Sequence, residues 1–499
     1  MAAQLPDGVA RMPDAALDAG QTMAAAFARL AAHPGSIAWL DAGPETSGSQ
    51  PATLTHAVLR SAAAPRRSYL IIPASDEHRL SANVATGTVR RLRAGREQTE
   101  PGTVFDVLRS SWQPGATAET AVPPATAETQ PSFAGGWVGW LGYECAATTL
   151  GIDLKTEGEQ YPDSAWFAAG AWARLDHDTG TLEFAGDDPD AMQRLREAFA
   201  ESDHGTNTHA TPTNAAHVAT ASWREGEAEY AARIAAAQRF IADGDAYQLC
   251  LTSRVSGQRL PEPSEQLYLR LRLASPSHHG SYLRIADTAV LSSSPEQFLE
   301  LRPDRRMRST PMKGTRPRAS DPCQDARLAA ELQQSEKERA ENVMIVDLMR
   351  NDFGRVALPG TVSVPRLLEV ESYRPVHQLV STVQAQLAPG RHPMDAIEAV
   401  FPAGSMTGAP KRRAVQLLQQ LESGPRGIYS GVTGYLSNDG SVDLAMNIRC
   451  VVARPAGWTV GAGGGITALS VPSEEVAESR LKAQLLLELL GAAEPTPAS

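Results

Sequence analysis

The hairpin near the C-terminus constrains the fold of this chain more than any other stretch. Val442, Leu444, Met446, Ile448, Cys450 and Val452 alternate with Asp443, Asn447 and Arg449, a period of two that only an extended strand splits onto two faces. Asn438-Asp439-Gly440 precedes this run and supplies residues that tolerate the positive φ of a tight turn. The pattern predicts a strand over 427–437 and a return strand over 441–452. Arg449 then sits on the non-core face of a rigid sheet, with Tyr429 on the partner strand, and rigid elements hold site residues better than loops do.

Helical periods lie upstream. Ala231, Ile234, Ala235, Ala237 and Ile241 share one face of a helix over 228–242, which Gly244 ends before a strand over 246–255. A single long helix is expected over 328–348. Ala414, Val415, Leu417, Leu418 and Leu421 give another its buried stripe. Strands alternating with helices and closing in a hairpin meander indicate the α+β class with antiparallel sheets. Two stretches, 113–131 and 202–221, have no apolar period and are rich in Ala, Thr, Pro and Asn, so they read as loops or insertions.

Bulk properties exclude several functions. With 46 Lys+Arg against 57 Asp+Glu the formal charge is -11, which argues against a nucleic-acid binder. Basic clusters are therefore local anion sites rather than part of a global field. The four cysteines are far apart without metal-ligand spacing, as expected of reduced thiols in a cytoplasmic protein. No apolar run reaches membrane-spanning length, and the first 32 residues lack the pattern of a signal peptide.

Within this frame Lys313 stands out. It lies in Pro311-Met312-Lys313-Gly314-Thr315-Arg316-Pro317-Arg318, a stiff turn that pins one primary amine beside two guanidinium groups able to fork carboxylates. Nearby cations favour a neutral, nucleophilic lysine; a solvated basic loop is the alternative. Glu475, Glu478 and Lys482 fall on one face of a helix that opens near Ser473, and Glu341 borders an apolar helical run. Such carboxylates suit a hard cation such as Mg²⁺, or are ordinary acids at helix starts. Gly461 to Ile466 forms a glycine-rich turn whose amides can approach an oxyanion. Gly404 to Lys411 only superficially resembles a P-loop, and Lys411, Arg412 and Arg413 begin a helix with the wrong sign for its dipole, which hints at a nearby anion or at exposed charge. His377 is a candidate acid or base, or a structural histidine.

Taken together and in this order, SPEQFLEL (294–301), PMKGTRPR, ERAENVMIVDLMRNDFGRV (338–356), VHQLVSTV (376–383), FPAGSMTGAPK (401–411), GIYSGVTGY (427–435), DLAMNIR (443–449), GAGGGI and SEEVAESRLKA resemble the chorismate-utilising enzymes, the family of anthranilate synthase and aminodeoxychorismate synthase large subunits. FAGGWVGWLGYE (133–144) resembles the family's N-terminal part. The resemblance implies two antiparallel sheets packed as a sandwich with helices outside and the active site in the cleft between them. It implies an extension (1–20), an N-terminal part of the synthase fold (21–200), a flexible insertion (201–221), a chorismate-binding catalytic domain (222–488) and a tail (489–499), with 21–488 interwoven as one unit.

The resemblance also implies roles. Glu341 and Glu478 would hold Mg²⁺, with Glu475 helping through water. Tyr429, Arg449 and the amides of Gly463, Gly464 and Gly465 would bind carboxylate oxygens of chorismate, with Thr315 and Thr407 completing the substrate set and Lys482 adding positive charge. Where anthranilate synthases usually carry Ala, Lys313 matches the branch that aminates C4, the aminodeoxychorismate synthases of p-aminobenzoate and folate synthesis. Lys313 would attack C2 with Glu296 as general acid, and His377 would orient the ring or move protons. Ammonia would come from a separate glutamine amidotransferase subunit, since no stretch resembles a glutaminase. The alternatives are an anthranilate, isochorismate or salicylate synthase, and a non-catalytic ligand-binding homologue. The family's effector element is matched only by Leu40-Asp41-Ala42, with Ala in the serine position, so tryptophan control is not expected.

Overall fold

Strand Ser164–Asp176 organises the molecule. At 13 residues it is about 40 Å long, enough to serve two ladders in succession. Its first half pairs with Arg79–Asn83 on one edge and Gly136–Leu141 on the other; its second half pairs with Arg67–Pro73 and Thr181–Gly186. The changeover falls at Gly170, where a Cβ would strike the backbone of Ala74, and the register slips between Ile72 and Pro73. The computed structural model describes residues 9–10, 19–43, 67–114, 132–158, 161–200, 221–373, 376–492 and 496–497. The insertions read at 113–131 and 202–221 lie almost wholly outside these, as does most of the 1–20 extension.

From Gly136–Leu141 the first ladder runs through Val432–Ser437, Val442–Met446, Gln297–Leu301 and Arg306–Ser309 to Val376–Gln386. That last strand also takes Met312–Pro317 and Ser363–Ser372. From Arg67–Pro73 the second runs through Ile37–Asp41, His279–Ile285, Thr288–Ser294, Cys450–Arg454 and Gly457–Ile466 to Gln248–Gly257. Among the described residues no pairing closes either path into a ring. The two-sheet sandwich expected from the sequence is therefore corrected: the strands form one large open sheet of mixed order. The physical reason is the shared strand, whose backbone hydrogen bonds run on from one ladder into the other.

The terminal hairpin is shorter than its alternation suggested. Asn438-Asp439-Gly440 does form the turn, with Gly440 at φ +86° and its N–H donating to Ser437 O at 2.9 Å. The return strand, however, stops at Met446 and resumes at Cys450. Asn447 N–H donates to Gly431 O at 2.8 Å and Ser430 N–H to Asn447 O at 2.9 Å, while Arg449 takes a φ of +50°. Tyr429 and Arg449 thus leave the ladder and lie in facing irregular segments rather than on paired strands.

Two other elements differ from their sequence reading. The helix expected over 328–348 is two helices, Pro322–Gln334 and Glu336–Gly354, split at Ser335, whose hydroxyl caps the second by accepting from Glu338 N–H. Gly461 to Ile466 is no loop but the end of strand Gly457–Ile466. Helix Glu336–Gly354 packs on Val376–Gln386, and helix Pro472–Leu489, entered through Pro472 rather than Ser473, packs on Gly457–Ile466.

Candidate active site

Lys313 lies on strand Met312–Pro317, opposite Leu379; the next pair is Thr315 with Gln378, so Gly314 is bulged out of the ladder. Gly314 has a φ of +73°, and a Cβ there would sit 2.8 Å from Glu338 Oε2 and Leu332 Cδ1. The Lys313 ammonium acts on Glu296, Glu341, Glu478 and Cys250, which come from four separate parts of the fold. No hydrogen bond or ion pair among the described residues claims it.

The two arginines beside Lys313 are not free forks. Arg316 Nε donates to Glu331 at 3.0 Å. Arg318 grips Asp325 at 2.8 to 3.1 Å and donates to Tyr373 O. Asp325 also meets His377 Nε2 at 3.0 Å, and the Ser372 hydroxyl meets Nδ1 at 2.8 Å. Both ring nitrogens of buried His377 are thus engaged by the protein, which holds the imidazole in one orientation. Lys411, Arg412 and Arg413 are likewise paired. Lys411 is buried against Asp352 at 2.6 Å, Arg413 meets Asp245 at 2.9 Å and Arg412 donates to Leu150 O at 3.0 Å.

Glu296 occupies the corner between strands Thr288–Ser294 and Gln297–Leu301, where Met446 N–H donates to its carbonyl at 3.0 Å. Its side chain is buried, and burial pushes its pKa up to about 7 against the opposing pull of the Ser405 hydroxyl and the Lys313 ammonium. A carboxyl that titrates near neutrality beside a lysine can deliver a proton to one reacting atom while the amine attacks another.

An acidic edge faces this pair from two helices. Glu341 is buried on helix Glu336–Gly354; burial raises its pKa, with Glu338 and Glu475 adding to the rise and Lys313 and Lys337 opposing it. Glu475 is buried on helix Pro472–Leu489 and accepts from the Ser470 hydroxyl at 2.7 Å. Glu478 pairs with Lys482 at 2.7 Å; desolvation is outweighed by Lys482, Lys337 and Lys313, so its pKa is lowered. As donors these carboxylates suit a hard cation, and the mutual repulsion that raises Glu341 is charge such an ion would relieve. Among the described residues, though, no three His, Cys, Asp or Glu side chains converge as a ready-made metal site. The ammoniums of Lys313, Lys337 and Lys482 act on them instead.

The far wall is the glycine end of strand Gly457–Ile466. Its pairing with Cys450–Arg454 ends at Val460, while pairing with Gln248–Gly257 continues, so Gly461 to Gly465 are laddered on one edge only. Lys482 Nζ donates to Gly463 O at 2.9 Å. A Cβ at Gly464 would lie 3.1 Å from Glu475 Oε2 and 3.8 Å from Lys482 Nζ, one at Gly461 would run into the Tyr429 ring, and one at Gly465 into the Gln248 amide. Burial raises the Tyr429 pKa, keeping its hydroxyl a proton donor. Arg449 lies deep enough for desolvation to lower its pKa, yet it keeps accessible surface and no carboxylate acts on it. It is an exposed cation whose guanidinium no hydrogen bond or ion pair among the described residues claims.

Two expected substrate contacts are placed differently. The Thr407 hydroxyl is buried and donates to Ala403 O at 3.1 Å within its own turn. Thr315 is exposed beyond the bulge. Sequence reasoning missed Lys337 and Gln248, which is fully buried with no partner for either amide atom among the described residues. It also missed Arg426, which binds Glu422, Met406 O and Cys250 O at 2.6 to 2.9 Å and ties the turn before Tyr429 to two neighbouring segments. Only Lys337 left a local signal, as a cation in a first helical turn. Farther off, Asp41 is bound by Arg272 at 2.5 Å and by Ser68, which leaves the Leu40–Ala42 element committed to internal pairing.

The chain belongs to the chorismate binding enzyme family, whose model matches residues 67–488. It is 38% identical over 479 residues to an aminodeoxychorismate synthase of Streptomyces pristinaespiralis, covering 93% of this chain and 63% of that protein. It is 39% identical over 382 residues to anthranilate synthase component 1 of Streptomyces coelicolor, covering 73% of this chain and 74% of the relative. The crystal structure of anthranilate synthase component I from Streptococcus pneumoniae superposes with a TM-score of 0.69 at 26% identity, covering 87% and 94% of the two chains. The chain thus spans somewhat under two thirds of the aminodeoxychorismate synthase it matches. No helix among the described residues is long and apolar enough to cross a membrane.

Proposed function

We propose that the protein converts chorismate and ammonia to 4-amino-4-deoxychorismate through a covalent adduct on Lys313. The observation that carries this is the placement of Lys313 in the field of the buried Glu296 carboxyl, whose pKa lies near 7. The neutral amine of Lys313 forms a bond to ring C2 as the C4 hydroxyl departs, and Glu296 donates the proton that makes the leaving group water. Ammonia then bonds to C4 and the lysine leaves C2, so that two displacements replace one difficult exchange. Arg449, the Tyr429 hydroxyl and the open edge of Gly463 to Gly465 receive the substrate carboxylates. His377, held in one orientation by Asp325 and Ser372, orients the ring or moves protons.

Glu341, Glu475 and Glu478 would hold Mg²⁺, which when bound supplies positive charge for a substrate carboxylate. Ammonia is supplied by a glutamine amidotransferase partner or by free ammonium. The name of the Streptomyces pristinaespiralis relative supports the C4 reading; that of the Streptomyces coelicolor relative supports a second, amination at C2 to give anthranilate. Chorismate, Mg²⁺ and ammonium with a separate aminodeoxychorismate lyase decide between them. p-Aminobenzoate is expected; anthranilate without p-aminobenzoate overturns the assignment, and no turnover at all leaves a ligand-binding homologue.

A further inference from the structure

Lys337 carries a charge that opposes its local setting. It stands in the first turn of helix Glu336–Gly354, where unsatisfied amides disfavour a cation. Its ammonium reaches across to helix Pro472–Leu489 and lies 3.7 Å from Glu475 Oε1. The charges of Glu341, Glu338 and Glu478 fall on it as well. The two sides of this contact differ in kind. The Glu475 side chain is 6% exposed and fixed from within by Ser470, whereas Lys337 is 45% exposed and comes in from solvent on a flexible stem. Lys482 pairs with Glu478 at 2.7 Å, where both side chains are about half exposed.

We propose that Lys337 is a built-in counter-ion of the carboxylates Glu341, Glu475 and Glu478, one that a divalent cation must displace and that therefore sets the metal affinity of the site. This rests on the assignment of those carboxylates to a metal. Without an ion, Glu341 and Glu475 repel each other, and the ammonium of Lys337 offsets part of that repulsion. A half-exposed ion pair is weak and readily exchanged. A divalent ion bonded directly to the oxygens replaces it, against the residual repulsion of the lysine it has dislodged.

The test is Mn²⁺ binding to the full chain, measured by calorimetry without chorismate, for wild type, Lys337→Met and Lys337→Arg. Lys337 is exposed enough that neither change threatens folding, and melting curves verify this. Removing one unit charge a few ångströms from the ion is expected to tighten Mn²⁺ binding about tenfold. Lys337→Arg should match wild type, and Lys337→Met should reach its half-maximal rate at lower Mg²⁺. Unchanged or weaker Mn²⁺ binding by Lys337→Met, with wild type binding normally, overturns the counter-ion role alone. Absence of Mn²⁺ binding by all three proteins overturns the metal assignment and this inference with it.

Discussion

The ammonium of Lys313 acts on the buried carboxyl of Glu296, opposing a desolvation that has already carried that carboxyl to a pKa of about 7. Lys313 lies on strand Met312–Pro317 and Glu296 in the corner between strands Thr288–Ser294 and Gln297–Leu301, and each is aimed by an irregularity in the backbone. For Lys313 this is the bulge at Gly314; for Glu296 it is the corner after Ser294. Breaks in a ladder are where side chains can be redirected from their alternating faces.

Replacing Lys313 with Ala is expected to abolish the C4-aminated product by about 10³-fold or more even in excess ammonium, because the first displacement then has no nucleophile. Product analysis for both aminodeoxychorismate and anthranilate checks this. Unchanged C4 amination would remove the covalent step.

Glu296 acts in its protonated form, so kcat/KM should fall as pH rises through about 7. Glu296→Gln should lose roughly 10²- to 10⁴-fold in rate and lose this limb of the profile. A pH–rate series on both proteins measures it. A wild-type profile flat between about pH 6 and pH 9 would rule out the assigned role.

Among the described residues no carboxylate pairs with Arg449, so Arg449→Ala should leave the melting temperature near wild type. The expected kinetic effect is a loss of about 10²-fold in kcat/KM, the scale of one charge-assisted contact to a substrate carboxylate. Steady-state kinetics beside a melting curve separates the two. A fall in stability without a kinetic effect would make the residue structural.

Gly464→Ala offers a milder probe of the same wall. The added methyl meets only the ends of the Glu475 and Lys482 side chains, not backbone. KM for chorismate should rise several-fold with little change in melting temperature. Gly463→Ala, whose methyl would strike Leu251 O, should destabilise the chain instead.

Glu144 makes stability depend on pH. Burial, with Asp163 adding and the Arg426 N–H opposing, lifts its pKa to about 8. A carboxyl raised in the folded state binds its proton more tightly there than in the unfolded chain. Its contribution is full below the ordinary carboxylate range and is lost as pH rises through about 8. The melting temperature should therefore decline between about pH 4.5 and pH 8, and Glu144→Gln, which keeps an oxygen acceptor for only one of the Arg426 and Gly427 N–H groups, should melt lower but with that decline flattened. Thermal melts across the range provide the check.

The elements that sequence reasoning placed well are those whose determinants are local. The turn at Asn438-Asp439-Gly440 carries its own φ preference. Helices Glu227–Ala242 and Lys411–Leu421 carry their own apolar faces. Its errors occur where a local preference is outvoted. Ser335 interrupts an otherwise continuous helical pattern because its hydroxyl caps helix Glu336–Gly354. Asn447 to Arg449 leave a perfectly alternating strand because the backbone of Asn447 bonds to Ser430 and Gly431, Ile448 N–H turns back to Met446 O and Arg449 takes a positive φ.

The sequence by itself determined the inventory of this protein: a lysine in a glycine-containing turn, acids in the first turns of two helices, a glycine run, and the family they spell together. Tertiary structure decided which charges are spent and which are available. Arg316 and Arg318 look like substrate forks until Glu331 and Asp325 are seen to hold them, whereas no ion pair among the described residues holds Arg449. It also decided that one strand, Ser164–Asp176, joins two ladders into a single open sheet. The reason is physical: periodicity and turn chemistry act over a few residues, while ion pairing and strand registry are settled between segments that meet only after folding.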